Sequence, residues 1–144
     1  MIDGLFNSGA LPSLERTIQF AARRQEIIAH NIANLSTPNY QTQDVSVADF
    51  QHSLGDAIDQ RRKNPGSTRG DFNFQGNREV QVTPTGLRLN PSSGSDNILF
   101  HDRNNRDLER TMQAMVENLT MFRVATDLMK SQMDSLNTAI RERL

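Results

Sequence analysis

The chain has 144 residues, 35% of them hydrophobic, with one Tyr and no Trp; that length allows one ordinary domain, but the apolar share is low for a compact core. With 16 basic and 17 acidic residues the formal net charge is -1, which gives no electrostatic reason to expect nucleic acid or an anionic membrane as the main partner. There is no cysteine, so neither a disulfide nor a thiolate metal site supports the fold.

The chain opens on a short apolar head, Ile2, Leu5 and Phe6, followed by a break at Asn7-Ser8-Gly9. Its first twenty residues hold neither a basic region nor a continuous apolar run of the secretory kind, and no stretch approaches the length of a membrane span. By these ordinary rules the protein is expected to stay in the cytosol without direct membrane insertion. Pro12 and Ser13 then supply a helix start, with Glu15 favourably placed in the first turn. From there Leu11, Leu14, Ile18, Ala21, Gln25, Ile28, Ile32 and Leu35 step alternately by three and four residues, the spacing of a coiled-coil seam. A helix from Ser13 to Leu35 would be about 34 Å long.

Thr37-Pro38-Asn39 stops that helix: Pro38 forces Thr37 out of the helical region, and Asn39 tolerates a left-handed turn better than most residues. Asn31, Asn34 and Thr37 are three residues apart and project from one side of its last turn. Their side chains either satisfy orphan helix carbonyls as a local cap or fix contacts with a neighbouring chain. The spacing of Phe50, Leu54, Ala57 and Ile58 predicts a shorter helix from Ser46 to Arg62. The polar stretch 64–78 reads as a mobile loop. Val80 to Thr83, Leu87 to Leu89 and Ile98 to Phe100 are short apolar pieces between turn residues, which predicts a hairpin or three-stranded patch too small to be stable alone.

The last element is the longest. Leu108, Met112, Met115, Leu119, Phe122, Thr126, Met129, Met133, Leu136 and Ile140 repeat the seam spacing, in a predicted helix from Asn105 to Arg143 about 58 Å long. The rest of the chain is too polar to cover a stripe of this length, so the two stripes are expected to face each other or other subunits. The fold class is therefore mainly α, with long terminal helices paired as a coiled coil and a loop-rich centre carrying a short helix and a small β patch. The division is 1–40 for the first axial helix and its turn, 41–103 for the centre, and 104–144 for the last helix.

Chemistry is sparse. His30, His52 and His101 lie in three segments, none with a second histidine at ligand spacing. There is no glycine-rich phosphate loop and no serine in a nucleophile-elbow context, so the chain reads as no enzyme, with no cofactor. The basic runs Arg23-Arg24 and Arg61-Arg62-Lys63 lie within a few helical turns of Glu15, Glu26, Asp56 and Asp59, and they read as solvated helix faces rather than a nucleic-acid surface.

The run from Arg24 to Tyr40, which ends Asn31-x-x-Asn34-x-x-Thr37-Pro38-Asn39-Tyr40, resembles the signature of the bacterial flagellar basal-body rod and hook family. That signature usually has Gly where Asn39 stands and often Asn where His30 stands; Asn also accepts the left-handed turn. Asp44-Val45, Asp49-Phe50 and Asn104-Asn105-Arg106-Asp107-Leu108-Glu109 with Met112 look like the proximal rod type. The resemblance covers about 10–54 and 102–144. It implies a non-enzymatic subunit that stacks with itself and with other rod proteins into the axial rod crossing the periplasm. The paired terminal helices would line the tube and transmit torque. It also implies contact with the rotor-side basal-body ring and adapter, and export by the flagellar type III apparatus without a cleaved signal. The head Ile2, Leu5 and Phe6 is then either an export signal or an anchor against the neighbouring subunit. The competing expectation is a cytosolic coiled-coil adapter.

Overall fold

The computed structural model describes residues 9–63, 72–92 and 108–141. They form helix α1 (Leu11–Ala33), helix α2 (Val47–Lys63), strands β1 (Val80–Thr83) and β2 (Gly86–Leu89), and helix α3 (Leu108–Arg141). The protein is mainly helical, its first and last helices pack together, and a two-stranded antiparallel sheet lies between them in sequence. The third apolar piece, Ile98 to Phe100, lies outside the described residues, as does the head Ile2, Leu5 and Phe6.

Helix α1 starts earlier and ends earlier than the sequence predicts. Ser13 is not its N-cap: Leu14 N donates to Ala10 O, and the Ser13 hydroxyl donates to the same carbonyl at 2.8 Å, with Pro12 inside the first turn. At the other end Asn34 N and Asn34 Nδ2 both donate to His30 O, at 3.2 and 2.8 Å, which closes the helix before Leu35. Helix α2 begins where Ser46 Oγ accepts from Asp49 N at 3.1 Å, an N-cap of the usual kind.

The core does not sit between the long helices. It gathers Phe20 of α1, Val45, Phe50 and Ala57 on and before α2, Phe74, and Val80 and Leu87 of the hairpin. Phe20 and Phe50 stack with ring centres 3.9 Å apart, and Phe74 meets Phe50 edge-on at 5.8 Å, two arrangements aromatic pairs prefer. Residues 72–77 have no regular structure, yet Phe74 is buried among these rings; there the expected mobile loop is wrong, because one large apolar side chain holds the segment down. Asn77 shapes the approach to β1, its Oδ1 accepting from Glu79 N and Val80 N. Gly76 is required beside it: φ is 73°, and a Cβ would collide with Val80 O.

Helix α1 presents two rows. Leu11, Ala21 and Ile28 are buried and Leu14, Ile18, Gln25 and Ile32 half-buried in the first, which is the stripe read from sequence. The second row, Phe20, Arg24, Ile27 and Asn31, also steps by four and three, and it faces α2, the hairpin and the returning chain. Its two polar members hide it from a hydrophobic pattern.

Candidate functional site

The turn after α1 is where the sequence places its most specific motif. Asn31 is 5% exposed; its Nδ2 donates to Gln43 O at 2.6 Å, and its Oδ1 accepts from Gln43 N at 3.1 Å. One amide thus satisfies both backbone groups of a residue twelve positions on, as a paired strand would. The Tyr40 hydroxyl donates to the same Oδ1 at 2.8 Å, which leaves His30 Nδ1, 3.0 Å from the Tyr40 oxygen, to act as donor. Partial burial of the Tyr40 phenol pushes its pKa above the ordinary value.

Thr37 N donates to Asn34 O and Tyr40 N to Thr37 O, at 2.9 and 3.3 Å, and Asn39 takes the left-handed conformation with φ 60°. Asn39 is the one described non-glycine residue that does so. The two asparagines have divided the work: Asn34 caps the helix, while Asn31 grips the chain that comes back along it. Both local partners lie within this chain.

Beyond the motif, the strand-like return is locked by residues the sequence reading placed elsewhere. Arg24 Nε and Nη2 donate to the two carboxylate oxygens of Asp44 at 2.8 and 2.6 Å, and Asp44 Oδ1 also accepts from Val45 N, a bidentate fork. Arg24 is 6% exposed and Arg61 7% exposed, with Arg61 Nη1 donating to Gly9 O at 3.1 Å. The solvated-face reading of the two basic runs therefore fails for these two members. It describes Arg23 and Arg62, which pair at the surface with Glu26 and Asp59. Only the unusual placement of Arg24 within a heptad row could have betrayed it.

The stripe of α3 is only partly covered within the chain. Met115, Phe122, Met129, Met133 and Leu136 are half-buried, while Leu108, Met112, Leu119 and Ile140 are 37–50% exposed. The residues α3 buries are Asn118 and Ala125, one position before Leu119 and Thr126. Asn118 Nδ2 donates to Ala21 O and to Gln25 Oε1, both at 2.9 Å. The polar break Gln25 thus meets Asn118, whereas the other break, Thr126, bonds its own helix at Phe122 O. A small side chain at 125 and an amide that reaches a carbonyl let α3 approach on that line, which displaces the bulky stripe to the edge of the contact. The two helices run antiparallel: a cleft beside Arg24 and Asp44 is walled by Glu109, Gln113 and Glu117, and one that starts at Leu14 reaches Val124 and Leu128.

Residues 13–41, which contain α1 and this turn, match the family described as flagella basal body rod protein. Over most of the chain the sequence is similar to flagellar basal body rod proteins FlgB. It is 32% identical to that of Borrelia hermsii over 130 residues, 88% of this chain and 91% of the relative. It is 27% identical to that of Bacillus subtilis (strain 168) over 133 residues, 92% and 94% of the two chains, and 24% identical to that of Salmonella typhimurium over 148 residues, 98% of each. The chain belongs to the FlgB family of flagellar basal body rod proteins.

Proposed function

We propose that this chain is a structural subunit of the proximal rod in the flagellar basal body, polymerising through its terminal helices into the axial tube that carries torque from the rotor. One observation carries the reading: of the eight large apolar residues exposed among the described ones, seven lie on α3, from Leu108 to Ile140. A single helix with so much uncovered apolar surface needs partners along its length. Copies of this chain and the other rod proteins cover Leu108, Met112, Leu119 and Ile140 from outside, and Leu14, Ile18, Ile28, Ile32, Met115, Phe122, Met129, Met133 and Leu136 complete the assembly stripe. A contact between different faces of successive copies does not close into a ring and gives an open helical assembly.

The turn from Asn31 to Tyr40 sets the direction in which the chain leaves the axial helix. The subunit reaches the periplasm through the flagellar type III export apparatus, with the head Ile2, Leu5 and Phe6 either the signal that is read or an anchor against the neighbouring subunit, and its partners include the rotor-side ring and adapter. No catalysis or cofactor takes part.

Basal bodies purified from detergent-extracted cells test the reading, since a cytosolic coiled-coil adapter would be absent from them. Met129→Asp sharpens it: a charge there would be buried unpaired in the assembled rod at a cost of several kcal/mol. The expected result is a subunit that is exported but missing from basal bodies, and intact rods containing Met129→Asp would overturn the role given to the stripe.

A further inference from the structure

Beside its buried line α3 carries a half-buried apolar row, Met115, Phe122 and Met129, at the same heptad spacing as the apolar row of α1, so sliding α3 along α1 by one heptad again sets these two rows against each other. The rows alone do not choose among these registers. Asn118 breaks the degeneracy. It is 1% exposed, and in the observed register its Nδ2 reaches both Ala21 O and Gln25 Oε1. One heptad away in either direction it would face Leu14 and Ile18 or Ile28 and Ile32, none of which offers a side-chain acceptor. Gln25 would meet Thr111 or Ala125 instead.

The other half of the same amide shows that stability is not what Asn118 supplies. Its Oδ1 is buried and has no hydrogen-bond partner, a condition that costs free energy and that an apolar residue of the same size would avoid. We propose that Asn118, with Gln25, is the specificity-determining pair of the helix seam, trading stability for a single register. A buried polar residue in an otherwise apolar seam is the best-attested device for that purpose. Register matters because it sets the height at which α3 presents Leu119, Val124 and Leu128 to the outside. That last consequence rests on the rod reading above; the register itself does not.

Spin labels test the register directly, because the chain has no native cysteine. With cysteines for labelling at the exposed positions Arg23 and Lys130, one heptad of sliding moves one label about 10 Å along the other helix. The otherwise wild-type full-length chain is expected to give one narrow distance distribution. Asn118→Leu is expected to melt at the same or a higher temperature and to add a second, shifted distance. The swapped pair Gln25→Asn with Asn118→Gln should restore the single distance. If Asn118→Leu does not fold, Gln25→Leu carries the same expectation of a second distance. A narrow distribution unchanged in the leucine variant, or a wild-type distribution as broad as the variant's, would overturn the proposal. Because the distances are read on the isolated chain, that failure is distinct from absence of the protein from basal bodies.

Discussion

Helices α1 and α3 have similar spacing of apolar residues and opposite fates in the folded chain. Helix α1 is covered along two rows, one by α3 and one by the Phe50 side of α2, the hairpin and the return through Asp44. Helix α3 is covered along one line, centred on Asn118 and Ala125, and seven large apolar side chains remain outside it. A helix with two buried rows is held within its own fold; one with a single buried line and seven large apolar side chains outside it has much apolar surface left uncovered. The difference lies in what surrounds each stripe and not in the stripes themselves.

Truncating one residue on each side exposes the contrast most strongly. Phe50→Ala removes a fully buried ring stacked on Phe20 and touched by Phe74, and it should destabilise the isolated chain by about 3–5 kcal/mol in urea unfolding. Leu128→Ala on the open face of α3, where Leu128 is 51% exposed, should shift the same transition by no more than about 0.5 kcal/mol. Equal losses would mean that α3 is covered in solution as α1 is.

A smaller effect is expected at the junction between the two regimes. Asn31→Ala strands the Gln43 N–H and C=O and frees the Tyr40 hydroxyl, at a cost of about 1–3 kcal/mol. Asn34→Ala removes a half-buried cap whose carbonyl still receives the Asn34 backbone N–H, and it should cost about 1 kcal/mol or less. Urea titrations of the two variants side by side check the ranking. A larger loss from Asn34→Ala would reverse the division of roles between them.

The smallest effect is one of pH. The Tyr40 phenol keeps its proton to a higher pH in the folded turn than in the unfolded chain, so folding holds the proton. Its contribution is complete below the ordinary tyrosine value near 10 and declines as pH rises through the raised folded value. Ultraviolet titration of the single tyrosine, native against urea-unfolded, should place the native midpoint higher; coincident midpoints would contradict the buried hydrogen-bonded geometry.

Most of the architecture was legible in the residues because it rests on period and punctuation. The 3-4 spacing marked both long helices, Pro38 and Asn39 marked the stop and the left-handed turn, and Pro84-Thr85-Gly86 marked the hairpin whose strands pair Val80 with Leu89 and Thr83 with Gly86. Misreadings cluster where a polar residue does an apolar residue's job. Arg24 and Asn31 complete the second row of α1, and Asn118 forms the centre of the α3 contact, yet a hydrophobicity pattern counts all three as surface. Phe74 was missed for the opposite reason: one aromatic in a polar stretch has no period, and only the rings of Phe20 and Phe50 explain why it is inside.

Asp44 and Ser92 exchange backbone hydrogen bonds at 3.2 and 3.1 Å in an antiparallel bridge. Glu79 fastens the same place, one carboxylate oxygen accepting from Ser46 N and the other from the Ser92 hydroxyl, each at 2.7 Å. The chain that leaves α1 is therefore brought back beside its own starting point, Ser92 against Asp44. What lies between these two residues is a closed excursion, and closing such an excursion costs only slightly more when it lengthens. Residues added or removed at an exposed point of that excursion would leave the positions of its two ends, Asp44 and Ser92, where they are. Variation in length is thus separated from the packing that the two ends maintain.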